Sequence, residues 1–251
     1  MRKIRLIMCY VIMLLLSAVV SSWADPARGN VTILSFETAK KVLARTVYAD
    51  HRIDFYCKAA FDENKNVILP DGFITPSYEK RATRIEWEHI VPAENFGRFF
   101  TEWREGDNQC VDSKGKAYKG RKCAKKNQLF AVMEADLWNL VPAIGAVNAV
   151  RSNYKFTVLP KEVPSTFGVC PVKVNNHRVE PPEYTRGTIA RATLYMAWAY
   201  PEIPFLSDQQ RKLMEAWDRM YPPSKWECER GRRIMELQGN VNPYTANACN
   251  F

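Results

Sequence analysis

Between residues 36 and 49 (FETAKKVLARTVYA) apolar side chains return every three or four positions, the period of a helix with one buried face. The same period recurs over residues 188–200, ended by Pro201, and over residues 207–220, with Ser207 at the N-cap position and Pro222 just past the end. Leu129–Asp136 predicts a further turn or two of helix, Pro142 is expected to break whatever precedes it, and Gly145–Arg151 restarts a short helix. Thr83–Trp87 reads as a short strand, with Pro92 limiting its continuation. Residues 62–76, rich in Asn, Asp, Gly and Pro, read as turns, and residues 105–126 as an exposed, mostly basic loop. No internal repeat or long linker divides the chain. The pattern predicts a single α+β domain, mostly helical, with a few short strands.

The first 24 residues carry a different pattern. Arg2, Lys3 and Arg5 precede an almost unbroken apolar run from Leu6 to Val20, and Ser22-Trp23-Ala24 offers small residues for cleavage before Asp25. The run is shorter than the ~20 residues a spanning helix needs, so residues 1–24 are assigned as an export signal and 25–251 as the mature domain. No later segment is apolar enough to cross a bilayer, and no membrane attachment is expected of the mature form. An exported chain meets an oxidising compartment, periplasm or medium. The six remaining cysteines, Cys57, Cys110, Cys123, Cys170, Cys228 and Cys249, are therefore expected to form disulfides. Cys110 and Cys123 flank the short segment Val111–Lys122 and are the expected local bridge; the other pairings stay open. Zinc is the competing use of the thiols, but they are scattered and no C-x₂-C pair occurs.

Charge narrows the partners. Lys and Arg number 36 against 27 acids, a net +9, which becomes +6 without the leader. That balance favours an anionic partner such as nucleic acid or a membrane surface. Only three histidines are present, His51, His89 and His177, so a site built from three or four imidazoles is set aside. His51 and His177 match no motif. Trp87, Trp103, Trp198 and Trp217 fall on apolar stripes and are read as core.

The sharpest local feature is Arg84-Ile85-Glu86-Trp87-Glu88-His89-Ile90-Val91-Pro92-Ala93. In extended chain Glu86 and Glu88 share a face and His89 takes the other, unless the strand ends there, as Pro92 suggests. A carboxylate beside an imidazole supplies a hard oxygen for a metal and a base that titrates near neutrality. By spacing alone such a pair is more often a surface ion pair.

The segment resembles the E-W-E-H-[VI]-V-P-A signature of the bacterial endonuclease I family, exported nonspecific nucleases of the ββα-metal (His-Me finger) class. Phe96-Gly97, Met133-Glu134-Ala135-Asp136-Leu137, Asn139-Leu140-Val141-Pro142-Ala143-Ile144-Gly145, Val147-Asn148 and Arg151-Ser152-Asn153 continue the likeness in order. Arg186–Arg191, Tyr221-Pro222, Trp226–Arg230 and Asn242-Pro243-Tyr244 extend it over residues 35–249. The chain departs from the family at Ala146, where a glutamate is usual, at Trp138, where histidine is frequent, and at Ala59 and Asp71, where some members carry a further cysteine pair.

The resemblance implies a ββα-metal motif within the α+β domain and cleavage of DNA, with RNA left open as a second substrate. It implies His89 as the general base and Glu88 and Asn148 as ligands of one Mg²⁺, with Mn²⁺ and Ca²⁺ as alternatives. Arg121 is the candidate for the scissile phosphate, against the plainer reading of a solvated loop charge. Arg151, Arg186 and Arg191 are candidates for backbone phosphates, and Glu134 and Asp136 for bracing the site. The competing class is a secreted nucleic-acid-binding protein without catalysis. A monomer is expected.

Overall fold

In a computed structural model, residues 28–251 are described; the assigned export signal falls outside them. The helices are α1 (Phe36–Val42), α2 (Glu79–Ala82), α3 (Ala93–Gly97), α4 (Thr101–Arg104), α5 (Arg121–Ala124), α6 (Gln128–Glu134), α7 (Gly145–Arg151), α8 (Arg186–Ala199), α9 (Asp208–Met220), α10 (Lys225–Gln238) and α11 (Pro243–Cys249). The strands are short: β1 (Ala60–Phe61), β2 (Val67–Ile68), β3 (Ile85–His89), β4 (Leu140–Ile144), β5 (Lys155–Phe156), β6 (Lys173–Asn175) and β7 (Arg178–Glu180). They make two antiparallel pairs, β1–β2 and β3–β4, and a three-stranded sheet ordered β5-β7-β6. The expected α+β class is the one observed, with helix outweighing strand.

The periodic segments fold where their pattern placed them. α1 runs on into a π-type turn at Leu43–Val47, and the hydroxyl of Ser207 caps α9 by accepting from the Gln210 amide. Several elements differ from expectation: β2 lies within the segment read as turns and α5 within the one read as an exposed loop. The strand at residue 83 is displaced to Ile85–His89, so it includes His89 rather than ending before it. Pro142, expected to break structure, lies inside β4 opposite Trp87. Its carbonyl accepts from the Phe55 amide, outside the β3–β4 pair, so its backbone faces away from β3 and the missing N–H costs no ladder bond. The pattern also left α10 unassigned because its sequence is dense in charge and interrupted by Gly231. Its start was marked nonetheless, by Ser224 accepting from the Glu227 amide in the arrangement of a capping box.

Helix α8 is enclosed rather than one-faced: ten of its fourteen residues are buried. Tyr195, Met196 and Ala199 join one apolar cluster with Trp87, Phe130 and Trp138, while Ile189, Ala190 and Leu194 join a second with Ile85, Val141 and Trp217. The β3–β4 pair likewise contributes to both clusters, so the strand bearing Glu88 and His89 is held from both sides. Enclosure of α8 accounts for Arg191. At 1% exposure its guanidinium is bidentate on Glu227, at 2.7 Å and 2.7 Å, and reaches Asp218 at 3.0 Å.

All six cysteines of the described chain pair, as Cys57–Cys170, Cys110–Cys123 and Cys228–Cys249. The local Cys110–Cys123 bridge is the expected one. It closes the basic loop and ties α5, which carries Arg121, to the start of that loop.

Candidate active site

Strand β3 and helix α7 border a cavity of about 610 Å³, and β4, which pairs antiparallel with β3, leads directly into α7. Glu86, Glu88, His89, Arg121, Asn148 and Arg151 all line it. Alternation along β3 would separate His89 from the two glutamates, but His89 is the last strand residue and the chain turns immediately after it. Asn139 fixes that turn: its side chain accepts from the Val91 amide at 2.7 Å and donates to the Val91 carbonyl at 3.0 Å. Helix α7 begins tightly against the sheet because residue 145 is glycine. A Cβ there would stand 2.6 Å from the Arg81 carbonyl oxygen and 2.9 Å from Glu86 Oε1.

The His89 ring nitrogen Nε2 lies 2.8 Å from the Glu134 carbonyl oxygen. A carbonyl only accepts, so Nε2 carries the proton and Nδ1 keeps the lone pair. Phe36 covers the ring, with centroids 4.8 Å apart. Burial, and then the nearby Arg121 guanidinium, hold the imidazole pKa down to about 3, so it is neutral at ordinary pH. Glu134 does two things at once. Its backbone orients His89, and its carboxylate, 2% exposed, accepts from Arg121 Nε at 2.5 Å. Arg121 itself is 43% exposed, leaving the rest of its guanidinium toward the cavity.

Glu88 is 1% exposed. Tyr56 donates to its Oε1 at 2.9 Å, and Arg151 Nη1 stands 3.3 Å from the same oxygen. The other oxygen, Oε2, is buried without a hydrogen-bond partner. Burial raises the Glu88 pKa, opposed by the Arg151 charge and the Tyr56 bond. A buried carboxylate oxygen left unpaired is costly unless something cationic meets it. Asn148, on α7, donates Nδ2 to Glu86 Oε2 at 3.0 Å; since a carboxylate only accepts, the free end of the amide is Oδ1. The site therefore presents two uncommitted hard oxygens, Glu88 Oε2 and Asn148 Oδ1. That donor set fits Mg²⁺, which takes oxygen ligands, retains several waters and needs few protein groups. Among the described residues no cluster of three or more His, Cys, Asp or Glu forms a larger cage.

The remaining arginine candidates are committed to protein partners. Arg151, 2% exposed, spends its guanidinium on Glu88 and on the carbonyls of His89, at 2.9 Å, and Ile90, at 2.5 Å. It braces the strand end rather than offering a face to a phosphate backbone. Arg186 pairs with Glu180 at 2.7 Å and Arg191 lies within the helices. Asp136, fully buried, accepts from Tyr195 and Tyr200, both at 2.7 Å. The exposed cations at the cavity rim are Lys65, Arg84 and Arg121. Sequence reading missed Tyr56, which lies 32 residues from Glu88 with no local signal, and the part played by Glu86. The shared face of Glu86 and Glu88 was the available clue to the second.

A family model described as Endonuclease I matches residues 35–249. An extracellular deoxyribonuclease of Aeromonas hydrophila is 43% identical over 222 residues, covering 86% of this chain and 90% of that protein. A periplasmic deoxyribonuclease of the same organism is 42% identical, covering 86% of each chain. An endonuclease-1 of Buchnera aphidicola subsp. Acyrthosiphon pisum is 37% identical, covering 87% of this chain and 83% of that protein.

Proposed function

Since the chain belongs to the endonuclease I family and is an endonuclease of the periplasm or the medium, we propose that it hydrolyses DNA phosphodiesters with little sequence preference, using His89 as general base and one Mg²⁺ held by Glu88 and Asn148. In this reading β3, β4 and α7 form the ββα-metal motif. One observation carries it: two adjacent residues of β3 that line one basic cavity each keep an atom without a protein partner, His89 Nδ1 and the buried Glu88 Oε2.

His89 takes the proton of the attacking water at Nδ1, and the Glu134 carbonyl holds the ring in the tautomer that allows it. Arg121 binds a phosphate oxygen with the guanidinium nitrogens that Glu134 leaves free. An arriving phosphate offsets the positive charge of Arg121 and Lys125, two of the groups that depress His89, and so raises its basicity when substrate is present. Bound Mg²⁺, or Mn²⁺ or Ca²⁺ in its place, would offset the negative charge gathering on the phosphate and the leaving oxygen. Lys65, Arg84 and Arg121 at the rim, rather than the buried Arg151 and Arg191 or the half-buried, Glu180-paired Arg186, meet the strand in this reading.

The test is a zymogram on gels cast with DNA or RNA, with and without EDTA. A cleared band on DNA that EDTA abolishes is expected. Binding without clearing in either gel would favour the noncatalytic binder instead. For a noncleavable duplex, affinity is expected to fall steeply between about 50 and 200 mM salt, as release of counterions from several phosphates requires, and to depend little on base composition. A salt-independent dissociation constant would count against phosphate-dominated recognition.

A further inference from the structure

A second cavity, of about 490 Å³, lies along β4 at Val141 and Pro142 and shares no lining residue with the first. Its volume suits a small-molecule ligand, and its lining is mainly apolar and aromatic. His51 lies stacked on Trp226, with ring centroids 3.7 Å apart and planes at 17°. Tyr184, 46% exposed, contributes a second aromatic plane.

The polar groups around these rings divide into spent and available ones. Glu227 is committed to Arg191 at 2.7 Å, and Arg230 to Tyr48 and the carbonyls of Leu137 and Leu140. Available are the Ser224 hydroxyl, which accepts from the Glu227 amide and keeps its own proton to donate, and the Thr188 oxygen, which donates to Glu227 and still accepts. At the surface stands the exposed Lys58, its ammonium 3.9 Å from the Tyr184 ring centroid. Among the described residues no carboxylate pairs with it.

We propose that this cavity is a nucleotide site separate from the catalytic one. The base stacks against the His51–Trp226 and Tyr184 rings, its edge meets the Ser224 donor and the Thr188 acceptor, and Lys58 takes the 5′-phosphate. Base–aromatic stacking tolerates any base, which fits an enzyme that cuts strands with little sequence preference. The inference rests on the nuclease reading only for the origin of the nucleotide. Its ligand is either a free mononucleotide or the terminal nucleotide of a strand.

The experiment is isothermal titration calorimetry on the mature, oxidised protein in EDTA, so that neither metal nor cleavage takes part. Deoxyadenosine 5′-monophosphate is expected to bind at one site. Tyr184→Ala should weaken it about 5- to 160-fold, the range for removing a stacking platform. Lys58→Ala, at an exposed position that spares folding, should weaken the monophosphate several-fold and leave deoxyadenosine unchanged. Arg121→Ala should leave both unchanged. Competition by a phosphorothioate tetranucleotide would identify a strand end as the source, and its failure to compete a free nucleotide. The proposal is overturned if the monophosphate gives no binding, or if Arg121→Ala abolishes it while Lys58→Ala and Tyr184→Ala do not. Either result in a protein that still clears a DNA gel leaves the nuclease reading standing.

Discussion

His89→Ala is expected to lower the rate of supercoiled-DNA cleavage by about 10²–10⁴-fold while Mg²⁺ and DNA binding stay near those of the unaltered protein. Geometry is the reason for the separation. His89 is oriented by the Glu134 carbonyl and approaches neither Glu88 Oε2 nor Asn148 Oδ1 as a hydrogen-bond partner, so its loss removes a base and not a metal ligand. Substitution of either oxygen donor should show the opposite signature, a rate partly restored by raising Mg²⁺. For Glu88 the informative variant is Glu88→Gln. Alanine would leave the buried Arg151 Nη1 and the Tyr56 hydroxyl without an acceptor and open a cavity, whereas glutamine keeps an oxygen for both, so loss of metal is less obscured by loss of fold. The measurement is initial rate against Mg²⁺ concentration for His89→Ala, Glu88→Gln and Asn148→Ala, with thermal melts as the control for folding. Wild-type cleavage by His89→Ala would remove the general-base assignment. An unchanged metal dependence in Asn148→Ala would remove only that ligand.

Opening the Cys57–Cys170 bridge is expected to cost more stability than opening either of the others. It spans 113 residues, against 13 for Cys110–Cys123 and 21 for Cys228–Cys249. Loop-closure entropy alone gives about 4.8, 2.9 and 3.3 kcal/mol respectively. The first loss is a large part of the ~5–15 kcal/mol that holds a domain together. It also reaches the site, since Cys57 comes directly after Tyr56, the donor to Glu88 Oε1. Denaturant unfolding of the three paired Cys→Ala variants should therefore rank Cys57/Cys170 as least stable, and full reduction should abolish activity at physiological temperature. Equal midpoints for the three variants would contradict the ranking. Six free thiols in active, native protein would contradict the dependence itself.

Much of the site was legible because its two central residues are neighbours in the chain. Glu88 and His89 need no tertiary contact to be noticed together, and the blocks around them carried the family resemblance that pointed to Asn148 and Arg121. The arginines were less legible. Arg151 and Arg191 read as candidates for phosphate, yet a guanidinium looks the same in sequence whether water or a buried carboxylate will meet it. Arg191 lies inside because α8 is enclosed on nearly all sides, which its composition, rich in Ala and Thr, does not announce.

By itself the sequence determined what depends on nearby residues. Helix periods, the Ser207 cap, the pairing of cysteines closest in the chain, the basic balance and the Glu88-His89 block are all properties of short windows, set by local sterics and side-chain chemistry. Tertiary structure decided what depends on distance. Tyr56 reaches Glu88 across 32 positions, the Glu134 carbonyl reaches His89 across 45, and Arg151 reaches the His89 carbonyl across 62. These contacts set the His89 tautomer, leave Glu88 Oε2 without a partner and hold the strand end in place. No window of sequence encodes them, because each bond forms only after burial has removed water and left the polar groups no other partner.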